Sequence, residues 1–384
     1  MMMTDDNFNC SFEPFFRGLS RNKSIERLLF CCSNLSGCDI FQMLRPFFKN
    51  TTSLTAFEVE DCHIGAEGCR SLSLAVGASK KASLKSFQVI NCEIEDEQLV
   101  EIILALSMHP QLETLYLSGN NLGRNGCAAL GTLLRWTTAQ LNTLNLSDNA
   151  IDDEGIEALM AGLTHSRQLK KLRLSRNSSI AARGWKALST LLESSSRLED
   201  LTLVSVGIGD EGATSFANAL ARNCTLKNLI LHGNPAITSE GWAAFSKLVC
   251  DTSSVNKTFL SNHTLRSVKS ESVRIDGLPG DLFSSLSLNQ REDKKKIAMI
   301  KILRHHTDID LQPFFEWEFK LLPLVMNWLD AASDATEWHA SSNQGIAFAD
   351  LQLLERNYIN ERKLSAIYQF VRGMPASYIE SCAR

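Results

Sequence analysis

The chain has 384 residues, 44% hydrophobic and 21% charged, with a formal net charge of −4. That composition supplies a continuous apolar core. The near-balance of charge argues against nucleic acid or an anionic membrane surface as partner, since either takes a strongly basic face.

No stretch reaches the ~18 uninterrupted apolar residues of a membrane span, and the opening MMMTDDNFNC puts two aspartates where a secretory signal needs positive charge. The expectation is a cytoplasmic protein. Eleven cysteines, an odd number without a C-x-x-C pair, speak against both a disulfide framework and a zinc module. Phe8, Phe12, Phe15, Phe16 and Leu19 then follow a roughly helical spacing. Residues 1–24 are therefore read as a helical cap over the end of what comes next.

What comes next is periodic. Leu112 to Leu122 reads LETLYLSGNNL, which matches L-x-x-L-x-L-x-x-N-x-L. Comparable units start at Ile25, Leu54, Leu84, Leu112, Leu141, Leu169, Leu198, Leu226 and Val255, always 28 to 30 residues apart. Within each, a period-2 core such as Leu144 and Leu146 specifies a short strand. A following segment such as Ile156, Leu159, Met160 and Leu163 has helical spacing. One strand and one helix cannot bury their own apolar faces, so the units must stack. The fold class is α/β, a leucine-rich-repeat solenoid (horseshoe) with a parallel concave sheet and convex helices. Residues 25–268 form an array of about nine units.

Two further periodic features have physical reasons. Asn120, Asn149, Asn177 and Asn234 satisfy backbone groups where the chain leaves the sheet; Cys62 and Cys92 replace this residue in two units, and Ser33, Val206 and His263 depart from it. Gly68, Gly126, Gly155, Gly184, Gly212 and Gly241 mark a close approach of each helix start to its neighbour. Trp185 and Trp242 follow two of these glycines at an otherwise apolar or small position, and are read as core between helices. After Ser267 the period vanishes. Helices are predicted over 281–288, 292–304, 314–331 and 348–370, and residues 269–384 are read as a helical C-terminal domain or cap.

The repeats resemble the ribonuclease-inhibitor class of leucine-rich-repeat proteins, whose D-E-G-x-x-A-L phrase stands at Asp153 to Leu159 and is echoed at Asp210 to Phe216. The phrase also occurs in the repeat portions of NOD-like receptors and of GTPase-activating proteins for Ran. The tail from Leu278 is similar to tails on ribonuclease-inhibitor-like proteins of unicellular algae. The resemblance implies an interaction scaffold. A complete NOD-like receptor is not expected, because no nucleotide-binding module precedes the repeats.

Apparent chemical motifs are better explained by the repeat. Gly207, Gly209 and Gly212 spell G-x-G-x-x-G, yet Gly212 is the recurring glycine and neighbouring units lack the triad. His305 and His306, with Asp308 and Asp310, have metal-donor chemistry, but adjacent side chains diverge on a helix. Cys31 and Cys32 are packed or surface thiols, and Lys294 to Lys296 a solvated face. No catalytic residue, cofactor or metal ligand is assigned.

The informative set is the outward row of the sheet: Leu29, Glu58, Gln88, Tyr116, Asn145, Arg173, Thr202, Ile230 and Phe259, flanked by Lys171 and Asp200. Glu58, Glu60 and Asp61 make one end acidic, and Lys170, Lys171, Arg173 and Arg176 make the middle basic. Strand-borne side chains are pre-organised for binding, and Tyr and Arg are frequent hot spots. The bland alternative is a solvated strand face. The expected function is a non-enzymatic scaffold that binds a partner protein on the concave face through Glu58, Glu60, Tyr116, Asn145, Lys171, Arg173 and Asp200. The alternative, on the resemblance alone, is a GTPase-activating or other regulator of a small GTPase.

Overall fold

The computed structural model describes residues 2–3, 13–31, 34–35, 40–79, 84–136, 140–166, 168–194, 197–268 and 279–306. They fall in two compact units: Met1–Phe245 with Ser267–Pro279, and Ser246–Arg266 with the chain from Gly280 onward.

The first unit alternates strand and helix. Its strands are β1 (Met2–Met3), β2 (Arg27–Cys31), β3 (Ala56–Glu60), β4 (Ser86–Ile90), β5 (Thr114–Tyr116), β6 (Thr143–Asn145), β7 (Lys171–Arg173), β8 (Asp200–Thr202) and β9 (Asn228–Ile230). They pair in sequence order, every neighbour parallel. The helices are α1 (Glu13–Leu19), α2 (Ile40–Asn50), α3 (Gly65–Gly77), α4 (Asp96–Leu106), α5 (Arg124–Trp136), α6 (Asp153–Leu163), α7 (Ala182–Glu193), α8 (Asp210–Leu220) and, as far as Phe245, α9 (Ser239–Val249). Strands stack at about 4.8 Å whereas packed helices need about 9 Å, so such an array curves with its sheet inside.

Leu28, Phe57, Phe87, Leu115, Leu144, Leu172, Leu201 and Leu229 share one register row under the helices, each 0% exposed. Trp185 and Trp242 join this core, with the ring of Trp185 edge-on to Phe216 at 6.4 Å. Among the described residues the opening helix α1 ends at Leu19. Its Phe16 and Leu19 are buried; Phe8 and Phe12 lie outside the described residues.

Each asparagine ties two units together. The Nδ2 of Asn120 donates to the carbonyls of Leu117 and Ser118 (3.2 Å each) and, in the preceding unit, of Val89 (2.9 Å). Its Oδ1 accepts from the backbone N–H of Cys92 and Ile94. Asn149, Asn177 and Asn234 repeat the pattern one unit at a time. A carboxamide has both donors and acceptor, which is why one residue type serves both sides.

At Gly126, Gly184 and Gly241 the recurring glycine faces a carboxylate of the preceding unit. Asp96 Oδ1 accepts from Gly123 and Gly126 N–H at 2.8 Å, Asp153 Oδ1 from Ala181 and Gly184, and Asp210 Oδ1 from Thr238 and Gly241. A Cβ would sit 2.7 Å from that oxygen at Gly126 and 2.5 Å at Gly241. Helices α4, α6 and α8 therefore cap the orphan N–H groups of the helices that follow them. The hydrogen bonds from Thr238, side chain first, hold the Asp210 carboxyl below its ordinary range.

One register expectation is overturned. Val255–Phe259 is a helix, α10, not the strand of a ninth repeat. The backbone that continues the sheet lies ten residues later than the period places it: Ser267 bridges Asn228, and Leu229 N–H donates to Ser267 O. The physical reason lies in residues 251–258. Asp251 ties Ser253, and Ser254 caps the N-terminus of α10, so local hydrogen bonds compete with strand pairing.

In the second unit, α11 (Gly280–Leu288) and α12 (Lys294–His305) accompany α10. Leu288, Ile297 and Ile300 form its apolar centre, and Asp293 caps α12. The helices predicted over 314–331 and 348–370 lie outside the described residues. Among the described residues no helix is long and apolar enough to cross a membrane.

Candidate functional site

The face of the sheet opposite the helices carries the candidate site. Register places Glu58, Gln88, Tyr116, Asn145, Arg173, Thr202 and Ile230 in one row. Lys171 and Asp200 are partners in the row beside it, and Glu60 aligns with Cys31 and Ile90 in a third. Tyr116, Asn145, Lys171, Arg173 and Asp200 are thus brought together on β5 to β8, while Glu58 and Glu60 stand apart on β3. Phe259 drops out of the row, because it belongs to α10.

Two members are not solvated. Glu58 is 2% exposed; Arg27 donates to its Oε2 through Nε (2.9 Å) and Nη2 (2.6 Å), and Gln88 donates to Oε1 at 3.1 Å. A carboxylate so buried needs these charge-assisted bonds, and the bond to Glu58 raises the Arg27 pKa above its ordinary value. Asn145 is also buried, its Oδ1 accepting from Ser147 N–H at 3.1 Å. Strand pairing put Arg27 over Glu58 from 31 residues away, beyond the reach of any local pattern.

The remaining charges on this face are largely committed to one another. Lys85 pairs with Glu113 (3.2 Å), Lys171 with Asp200 (3.8 Å) and Arg176 with Asp148 (3.4 Å). Lys170 (3.3 Å) and Lys227 (2.6 Å) share Glu199, whose carboxyl is held below the usual range, mainly by the Lys227 bond. Arg173 is exposed, and among the described residues its guanidinium makes no hydrogen bond or ion pair with any neighbour.

The motifs with chemical overtones are absorbed by packing. Gly207 N–H of the G-x-G-x-x-G donates to Asn234 Oδ1, the ladder bond of the next unit. Burial pushes the Cys69 and Cys92 thiols up to about 12 and Cys127 in the same direction, so these are core thiols. Cys31 is buried too, and Cys32 lies outside the described residues. His306 closes α12 and its Nε2 meets Thr258 Oγ1 at 2.7 Å; Asp308 and Asp310 lie outside the described residues. In the second unit Lys301 is fully buried, its Nζ 2.7 Å from Val249 O and from Asn289 Oδ1 and 3.3 Å from His263 Nδ1. Burial pushes the lysine down to about 7 and His263 to about 4, although an ammonium would use all three acceptors.

Sequence reasoning missed the capping role of Asp96, Asp153 and Asp210, for which the spaced Asp-Glu pairs were the available signal. It also missed Asn223 and Asn262. Each accepts from the backbone N–H groups two and three residues on, at Thr225 and Leu226 and at Thr264 and Leu265. The shared Asn-x-Thr-Leu phrase would have located the displaced register.

The family described as Leucine Rich repeat matches residues 50–73, 109–131 and 140–160. The chain carries ribonuclease-inhibitor-like leucine-rich repeats. These repeats are 25% identical over 257 residues to the mouse (Mus musculus) ribonuclease inhibitor, covering 66% of this chain and 56% of that protein. They are 27% identical over 212 residues to mouse NACHT, LRR and PYD domains-containing protein 14, covering 55% of this chain and 21% of that one. The chain thus spans between about a fifth and about half of the length of these relatives. Among solved structures, the leucine-rich repeat-containing protein LegL7 from Legionella pneumophila is similar at 15% identity and a TM-score of 0.43, covering 76% of this chain and 99% of that one.

Proposed function

We propose that this protein is a non-enzymatic scaffold that holds a partner protein on the sheet face of its repeat array, in the cytosol. The observation that carries the reading is the row Tyr116, Asn145 and Arg173 on adjacent strands, whose backbone positions are set by the ladder beneath and not by the residues of the row themselves. A backbone held in this way is ordered before the partner arrives, so only the side chains lose freedom on binding. The similarity to a protein named ribonuclease inhibitor supports protein binding as the class of activity, and the free thiols at Cys69, Cys92, Cys127, Cys224 and Cys250 suit a reducing compartment.

The test is affinity capture with wild type and with a Tyr116→Ala/Arg173→Glu double variant. Loss of specific partners in the variant is the expected result. An unchanged partner set overturns the assignment to the sheet face.

A further inference from the structure

We infer that the partner reaches this face with an acidic segment, and that a carboxylate of that segment docks on Arg173 between Tyr116, Asn145 and Thr202. The inference rests on the sheet-face reading and adds the chemistry of what binds there.

Three observations point the same way. First, Lys85, Lys171, Arg176 and Arg27 each have a carboxylate within 4 Å, and Lys170 and Lys227 share one. Arg173 stands on β7 of the same face, exposed, with none among the described residues. Second, around β6 to β9 the cations outnumber the carboxylates: Lys170, Lys171, Arg173, Arg176 and Lys227 face Asp148, Glu199 and Asp200. Of the two surplus charges one is held where Lys170 and Lys227 share Glu199 and the other is Arg173, so an incoming carboxylate has no resident anion to displace at Arg173. Third, the neighbours of Arg173 in register, Asn145 on one side and Thr202 on the other, with Tyr116 one strand further, are neutral. Tyr116 and Thr202 bring hydroxyl donors and no negative charge.

An arginine fork binds a carboxylate through two parallel hydrogen bonds, and flanking hydroxyls can complete the carboxylate's remaining lone pairs. Strands stand about 4.8 Å apart, so Tyr116 to Thr202 spans three spacings, about 15 Å, the length of an extended segment of roughly five residues. A basic segment is disfavoured at the same place, because it would meet the cation surplus. The acidic Glu58 does not offset this, being enclosed by Arg27 and Gln88.

The experiment uses the full chain and three matched sets of short labelled peptides, identical except that the variable positions carry Asp and Glu, Asn and Gln, or Lys and Arg. Binding is read by fluorescence polarisation at low and at high salt. The acidic set binds, weakens with salt, and weakens about tenfold or more with Arg173→Glu, since reversing the charge removes the fork and adds repulsion. Lys186→Glu, the same charge reversal on the exposed side of α7, leaves binding unchanged, which separates the site from bulk charge. Superimposable melting curves for both variants show that each is folded. Acidic peptides that bind Arg173→Glu as well as wild type overturn the inference, as does binding by none of the sets. If instead the basic set binds and Tyr116→Ala abolishes it, the acidic chemistry is wrong while the sheet face stands. The converse failure, of the sheet face itself, shows as an unchanged partner set in the capture experiment.

Discussion

The early units of the array and the later ones reach the same fold by different means. Strands β2, β3 and β4 are five residues long, and the last two lead to Cys62 and Cys92 where an asparagine would otherwise stand; β5 to β9 are three residues long and four of the five lead to Asn120, Asn149, Asn177 and Asn234. The core differs in parallel. Phe30, Phe41, Phe48, Phe57 and Phe87 meet ring to ring in the early units, with Phe57 stacked on Phe87 at 5.7 Å, while leucines fill the same row later. A thiol is a weak donor and cannot serve several carbonyls; Cys92 Sγ reaches Ile90 O at 3.2 Å and Val59 O only at 3.6 Å. In the two early units where cysteine replaces the carboxamide, backbone pairing runs two residues further and aromatic packing supplies the cohesion between units. Where it is present, a buried polar ladder does so. A repeat can therefore exchange one source of stability for another without changing its outline.

Substitutions can break this comparison from either side. The largest effect is expected from Phe57→Ala, which empties a fully buried position in contact with three other rings and should cost about 4 kcal/mol. Chemical denaturation measures it; a loss below about 1 kcal/mol would mean that the early units do not depend on their rings. Next is Asn177→Ala. It strands the carbonyl of Leu174 and the N–H of Ile151 and leaves Leu146 O with Asn149 as its remaining side-chain donor, and should cost about 3 kcal/mol by the same assay.

A smaller effect, confined to acid, separates the later units by their capping carboxylates. The Asp210 carboxyl lies below its ordinary range when folded, so its contribution is complete above the unfolded pKa and is lost as pH falls through the folded value. Wild type should lose more stability than Asp210→Asn below about pH 4, in melts taken across that range. Equal losses would show that the carboxyl titrates alike in both states. The smallest change belongs to Arg173→Ala, within about 0.5 kcal/mol of wild type, because the side chain makes no bond that the fold uses. A larger loss would make Arg173 part of the scaffold and weaken its case as a contact for another protein.

Much of the fold was legible because a solenoid is written as a period. The strands around Leu115 and Leu144, the asparagine turn and the buried Trp185 and Trp242 all follow from which positions recur. The candidate face was legible only as a list. Alternation assigns Glu58 and Arg173 to the same side of the sheet and treats them alike, yet one is sealed beneath Arg27 and the other has no partner among the described residues. The end of the array was misread for a related reason. Val255 lies 29 residues after Leu226, as the period requires, but Asp251 and Ser254 turn the chain into α10 before the sheet resumes at Ser267.

Taken alone, then, the order of residues determined the repeat, its strand and helix, and the class of proteins it resembles, because each unit needs its neighbours to bury the same recurring leucines. Only the tertiary structure decided which charges are spent. Pairs such as Arg27 with Glu58 or Lys227 with Glu199 form between residues 28 to 31 apart, brought within hydrogen-bonding distance by strand stacking. Whether a side chain on the sheet serves the fold or stays available to a partner depends on that lateral neighbour, which no local pattern in the chain specifies.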